Sequence, residues 1–88
     1  MALKFLRLPQ VCERRGLKPT RHYADIKSGT FVPPIKLTER SSGWPEHECE
    51  ALIAAKIAGK TDDELRELVR DLVAARRNLP AAARQRVK

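Results

Sequence analysis

The order of signals along this chain predicts a mainly α fold: a helix-turn-helix, a short two-stranded β-hairpin wing and an additional C-terminal helix. Three observations lead there. Two helical segments are each closed by a glycine, at Gly16 and Gly29. A stretch that Pro33-Pro34 bars from helix then alternates as Ile35-Lys36-Leu37. Beyond Trp44, two apolar stripes at helical spacing fill most of the remainder.

The first helix starts at Pro9, where a missing N–H costs nothing, and places Val11 and Cys12 inward before Gly16, with Leu17 adding a further apolar contact. The second opens at Lys18-Pro19-Thr20 and runs to Ser28. Ile35 and Leu37 then alternate with Lys36 as a half-buried strand, Thr38-Glu39 turn the chain, and Arg40 to Trp44 return it. The prolines keep this hairpin short. Pro45 opens a third helix with Glu46 and Glu48 at its positive end, and Cys49, Leu52, Ile53 and Ile57 form one expected buried stripe. Thr61-Asp62-Asp63-Glu64 has the form of a capping box for a fourth helix, which carries Leu65, Leu68, Val69, Leu72 and Val73 on one side. The expected division is a helix-turn-helix and wing over 1–58, a C-terminal helix over 59–77 and a basic tail over 78–88, helical only if something holds it.

Eighty-eight residues make one domain with a small core. The chain is 42% hydrophobic and 33% charged, the composition of a folded protein, with a formal net charge of +7. Residues 1–44 hold 9 basic and 3 acidic side chains, and residues 45–88 hold 9 and 8. A positive field confined to one half suits a docking face for a polyanion. The first residues are interrupted by charge too early for a signal peptide, and no apolar run is long enough to cross a membrane, so a cytoplasmic location is expected.

Little points to catalysis. Cys12 and Cys49 fall on apolar stripes and are expected as reduced core thiols. His22 and His47 lack metal-ligand spacing, Cys49 faces the core rather than pairing with His47, and no phosphate-cradling glycine motif occurs. No enzyme activity, cofactor or metal is expected.

The second helix is more informative. At about 100° per residue, Pro19, His22, Tyr23 and Ile26 share the inner side. Thr20, Arg21, Ala24, Asp25, Lys27 and Ser28 occupy the other. That outer arc suits the major groove of a duplex. Arg21 can donate two parallel hydrogen bonds to guanine, Thr20 and Ala24 can meet thymine methyls, and Lys27 or Ser28 can hold phosphate. Arg14 and Arg15 are expected on the backbone across the groove, and Lys36 and Arg40 flank the wing turn. Tyr23, Phe31 and Trp44 are expected as anchors, with Trp44 pinning the wing to the third helix.

Taken together, Leu8-Pro9-x-Val11-Cys12, Gly16-Leu17, Thr20-Arg21-x-Tyr23-x-x-Ile26-Lys27-x-Gly29-Thr30-Phe31-x-x-Pro34-x-Lys36-Leu37 and Arg40-x-x-Gly43-Trp44 closely resemble the AlpA family of prophage regulatory proteins. That family lies among the MerR-like winged helix-turn-helix domains, which include phage excisionases. The resemblance covers about residues 5–57. It implies a recognition helix over Thr20–Ser28, a wing over Ile35–Trp44 and, as function, transcription control of mobile-element genes or direction of DNA recombination. Lys18-Pro19, Glu39 and Ser41-Ser42 depart from the usual pattern, and the fourth helix lies beyond it. Its stripe either completes the core or meets its copy in another chain.

The leading reading is therefore a sequence-specific binder of double-stranded DNA from a prophage or mobile element, a transcriptional regulator or excisionase, with a recombinase as a further partner. The alternative is a non-enzymatic protein-interaction module, anti-repressor-like, whose working surface is the stripe of the fourth helix.

Overall fold

Helix ends fix the first third of the structure. The computed structural model describes residues 3–78. Helix α1 spans Leu8–Arg15 and α2 spans Pro19–Ser28, each with proline in its first turn. Both stop at a glycine in the left-handed region, Gly16 at φ 68° and Gly29 at φ 85°. Side chains with a Cβ rarely adopt that conformation. The turned chain lets Leu17 N–H donate to Cys12 C=O and Thr30 N–H donate to Asp25 C=O, which satisfies carbonyls the helices would otherwise leave open.

After the proline segment, β2 (Ile35–Thr38) and β3 (Ser41–Pro45) pair antiparallel, with a register irregularity between Lys36 and Thr38. The turn falls at Glu39-Arg40, one residue later than the sequence suggests. A third strand is present that the sequence analysis does not anticipate. Strand β1 (Phe5–Leu6) pairs antiparallel with β3, setting Leu6 opposite Trp44, so the sheet order is β1-β3-β2. Two residues are too few to show an alternating pattern, and their partner lies some forty positions away.

Helix α3 (Glu46–Ile57) follows β3 directly, and α4 (Asp62–Ala75) returns across it. The capping box at the start of α4 forms as expected: Glu64 N–H donates to Thr61 Oγ1, and Thr61 N–H donates to Glu64 Oε1. One core joins all these elements. Leu6, Val11, Phe31, Val32, Trp44, Cys49, Leu52, Leu65 and Val69 are buried together. Trp44 is buried, but its specific partners lie toward the linker and α2 rather than the third helix: its indole N–H donates to Val32 C=O at 3.1 Å and its ring meets that of His22.

The apolar stripe of α4 is taken up by the chain's own core. Leu65 and Val69 are buried in it, and Leu68, Leu72 and Val73 pack against its edge. The chain thus covers the two central residues of the stripe and leaves Leu68, Leu72 and Val73 partly buried at its edge. Ile57 also departs from expectation: it is 82% exposed, and Ile53 is only half-buried, because the inward face of α3 runs through Glu48, Cys49, Leu52 and Ala55. Residues 79–88, nearly all of the expected basic tail, lie outside the described residues.

Two polar clusters are enclosed with the core. Glu48 is fully buried, and its carboxylate accepts from Arg76 Nε at 2.9 Å and Nη2 at 2.6 Å, while Arg76 Nη2 also donates to Pro33 C=O. This pair ties the end of α4 to α3 and to the linker before the wing. His22 is the second. Its Nδ1 lies 2.9 Å from Arg15 Nη1, and because arginine is only a donor, the ring proton must sit on Nε2. The His22 ring meets Phe31 and Trp44 edge to face at 5.0 and 4.8 Å between centroids.

Arg76→Ala should destabilise the fold by about 3–5 kcal/mol, because a buried carboxylate is left without its partner. Urea unfolding at neutral pH measures this, and a loss below about 1 kcal/mol would contradict the pair's role. Burial, then Arg15, lowers the His22 pKa to about 4, with Asp25 opposing. The unfolded chain takes up that proton near 6.5, so it binds more protons than the native state in between. His22 thus contributes a fall in stability as the pH drops from 6.5 toward 4. Comparing unfolding midpoints of wild type and His22→Gln across this window should show a shallower slope in the variant. Equal slopes would remove His22 as the cause.

Candidate nucleic-acid interface

The outward face of α2 is set by how the helix is rolled, and Arg15 sets the roll. From the last turn of α1 its guanidinium reaches Asp25 Oδ2 at 2.6 Å, binds His22 Nδ1 and lies over the Phe31 ring at 4.1 Å. Asp25 and His22 are thereby drawn toward the core, and Ile26 packs behind them. Around the rest of the helix, Thr20, Arg21, Ala24, Lys27 and Ser28 face solvent.

Four residues stand differently from the sequence expectation, the first being Pro19, expected on the inner side of α2 but exposed. Arg15, expected on the nucleic-acid backbone, is only 13% exposed at its side chain and is engaged within the chain. Asp25, placed on the outer arc, turns inward to meet it. Tyr23, expected as an anchor, is 49% exposed. Its ring touches His22 edge-on at 5.5 Å and lies 6.5 Å from Trp44, so it sits at the seam between α2 and the wing. The inner arc is thus centred on His22 and Ile26 and flanked by Asp25. Phe31 is buried as expected.

The exposed residues form a low surface. Ala24 sits midway along it between Thr20, Arg21 and Lys27. Arg21 stays 69% exposed while its Nε approaches Asp25 Oδ1 at 3.3 Å. The Ser28 hydroxyl donates to Asp25 C=O and contacts Thr30 Oγ1, so this side chain also closes the helix end. In the wing, Lys36 and Arg40 are exposed. The turn between them is fixed by the Thr38 and Ser41 hydroxyls, 2.7 Å apart, and by Arg40 N–H donating to Thr38 Oγ1.

Arg14 is half-exposed, but its guanidinium meets Glu46 at 2.7 Å and Glu50 at 3.6 Å. The acidic start of α3 therefore offsets much of its charge. Two contributors escaped the sequence analysis. Lys18 is exposed at the N-cap of α2, beside Thr20 and in no ion pair among the described residues. Its signal in the sequence is its position just ahead of a helix-opening proline. Arg66 of α4 donates from Nε to Ser28 C=O at 2.9 Å and lies along Gly29, which fixes the far end of α2. No short-range pattern links residues 28 and 66.

The nucleophile considered in the sequence is inert. Cys49 is fully buried, and burial together with the neighbouring Glu48 raises its thiol to about 11. At neutral pH it carries no thiolate to attack with. Among the described residues, no group of three or more His, Cys, Asp or Glu side chains is placed to hold a metal ion. None of the described helices is long and apolar enough to cross a membrane.

The sequence profile of the family described as Prophage CP4-57 regulatory protein (AlpA) matches residues 4–57, from β1 to the last residue of α3. A protein of Enterobacteria phage P4, described as uncharacterized protein ORF88, is 35% identical over 57 residues. That stretch is 65% of this chain and 65% of the length of the phage protein. No solved structure matches the chain. Since the profile spans more than half of the chain and takes in both helices of the helix-turn-helix and the whole wing, the protein belongs to the AlpA family of prophage regulatory proteins.

Proposed function

We propose that this protein binds double-stranded DNA in a sequence-specific manner and acts within a prophage or mobile element as a transcriptional regulator or as an excisionase that directs recombination. The observation that carries the reading is the outward face of α2. Thr20, Arg21 and Ala24 stand clear of the core beside an exposed wing bearing Lys36 and Arg40. An α-helix fits the major groove of B-form DNA, and short side chains around one arginine let it approach base edges closely.

In this reading Arg21 reads a guanine, and Thr20 and Ala24 contact thymine methyls. Lys18, Lys27, the Ser28 hydroxyl and the Tyr23 hydroxyl at the wing seam hold phosphates on either side of the groove. Lys36 and Arg40 extend the contact to the neighbouring backbone or minor groove, where cations release condensed counterions. Arg15 is assigned no DNA contact, and Arg14 a lesser one. The interaction-module alternative is less favoured, because Leu65 and Val69 of the α4 stripe are taken up by the core and only Leu68, Leu72 and Val73 stay partly open. A recombinase remains a partner for the excisionase role only.

Footprinting on DNA from the protein's own genomic neighbourhood tests the reading. Protection at a promoter assigns transcription control, and protection beside a recombination site assigns excision. Failure to retain native-locus or random duplex even at low salt would contradict DNA binding altogether. Arg21→Ala should cost about 1–3 kcal/mol on the protected site and little on random duplex; equal losses on both would remove Arg21 from base reading. Arg40→Ala should weaken both and reduce the slope of log affinity against log salt by about 0.9. An unchanged slope would take Arg40 out of the phosphate contacts.

A further inference from the structure

We infer that Asp25 is a positioning residue for base reading, sharing its carboxylate between a clamped inner arginine and the reading arginine. The inference rests on the proposed DNA-reading role of α2. Asp25 Oδ2 accepts from Arg15 Nη2 at 2.6 Å, and Oδ1 lies 3.3 Å from Arg21 Nε. The two oxygens therefore serve different arginines. Arg15 is itself held on three sides, by Asp25, by His22 Nδ1 at 2.9 Å and by the Phe31 ring at 4.1 Å. Asp25, 13% exposed, cannot follow Arg21 outward without breaking this packed contact.

Two consequences follow for Arg21. An acidic residue on a DNA-facing helix would ordinarily repel phosphate and compete for the arginine. Here the charge of Asp25 is offset from beneath by Arg15, so Arg21 keeps its positive charge for the groove. Second, only Nε of Arg21 is engaged. Its Nη1 and Nη2 groups make no hydrogen bond among the described residues, and this pair of donors can present two parallel hydrogen bonds to guanine O6 and N7. A long side chain tethered in that pose loses less freedom on binding than an untethered one. The order His22, Arg15, Asp25, Arg21 thus carries the rigidity of the core to a single surface donor pair.

A double-mutant cycle tests this on the full-length chain, using the ratio of affinities for the footprinted site and for random duplex. Asp25→Asn keeps the shape and removes the charge. It should reduce that ratio roughly three- to tenfold in the wild-type background, the scale of ordering one long side chain. In the Arg21→Ala background it should leave the ratio unchanged. An equal loss in both backgrounds would show Asp25 to be merely structural, and no loss in the wild-type background would overturn its role outright. If Arg21→Ala itself leaves the ratio intact, base reading by Arg21 fails and the inference falls with it. Should Asp25→Asn fold poorly, the side-chain Nε–H signal of Arg21 in the free wild-type protein decides. A resolved signal slow to exchange with water is expected, and one averaged with freely rotating arginines would overturn the tether.

Discussion

The guanidinium of Arg15 is the contact on which the geometry of this fold depends. It comes from the last turn of α1 and ends among three groups that belong to α2 and the segment after it: Asp25, His22 and Phe31. Two helices joined by a three-residue turn can be rolled about their axes at little cost to the turn itself. What selects one roll is a largely enclosed arginine whose planar group must find an anion and acceptors in fixed directions. Once that roll is chosen, Thr20, Arg21 and Ala24 have no place but the surface. The arginine that shapes the interface is therefore one that does not reach it.

The second constraint comes from α4, which lies wholly beyond the region shared with the family. Its apolar stripe completes a core too small to bury itself otherwise, and its two engaged arginines fasten opposite ends of the binding unit. Arg66 holds the Ser28 carbonyl at the end of α2, and Arg76 pairs with Glu48 while reaching the linker ahead of the wing. Helix α2 and the wing are thus braced by the same element. Such bracing holds the two parts proposed to meet DNA in one arrangement.

Much of this was legible from local signals. Gly16 and Gly29 mark helix ends because their backbone conformation is costly for other residues. Pro33-Pro34 exclude helix ahead of the wing, and Thr61 with Glu64 spells a capping box. The alternation around Lys36 gives the hairpin, and periodicity groups Thr20, Arg21 and Ala24 on one arc of α2, opposite the apolar Ile26. What was not legible depends on long-range pairing. Strand β1 exists because Leu6 lies opposite Trp44. Tyr23 and Asp25 exchange their expected sides because Arg15 pulls Asp25 inward, and periodicity gives relative angles around a helix, not which angle faces the core. Ile57 fits the stripe by spacing yet lies on the far side of α3 from Glu48, Cys49, Leu52 and Ala55, the face that turns inward.

The central claim is that DNA meets the outer face of α2 and the wing tip while α4 stays at the back. Amide shift mapping during titration with the footprinted duplex tests it most directly. Expected are perturbations concentrated at residues 18–28 and 36–41, with the solvent face of α4 around Glu67, Arg70 and Asp71 unmoved. Perturbations centred on α4, with Thr20, Arg21 and Ala24 silent, would contradict it.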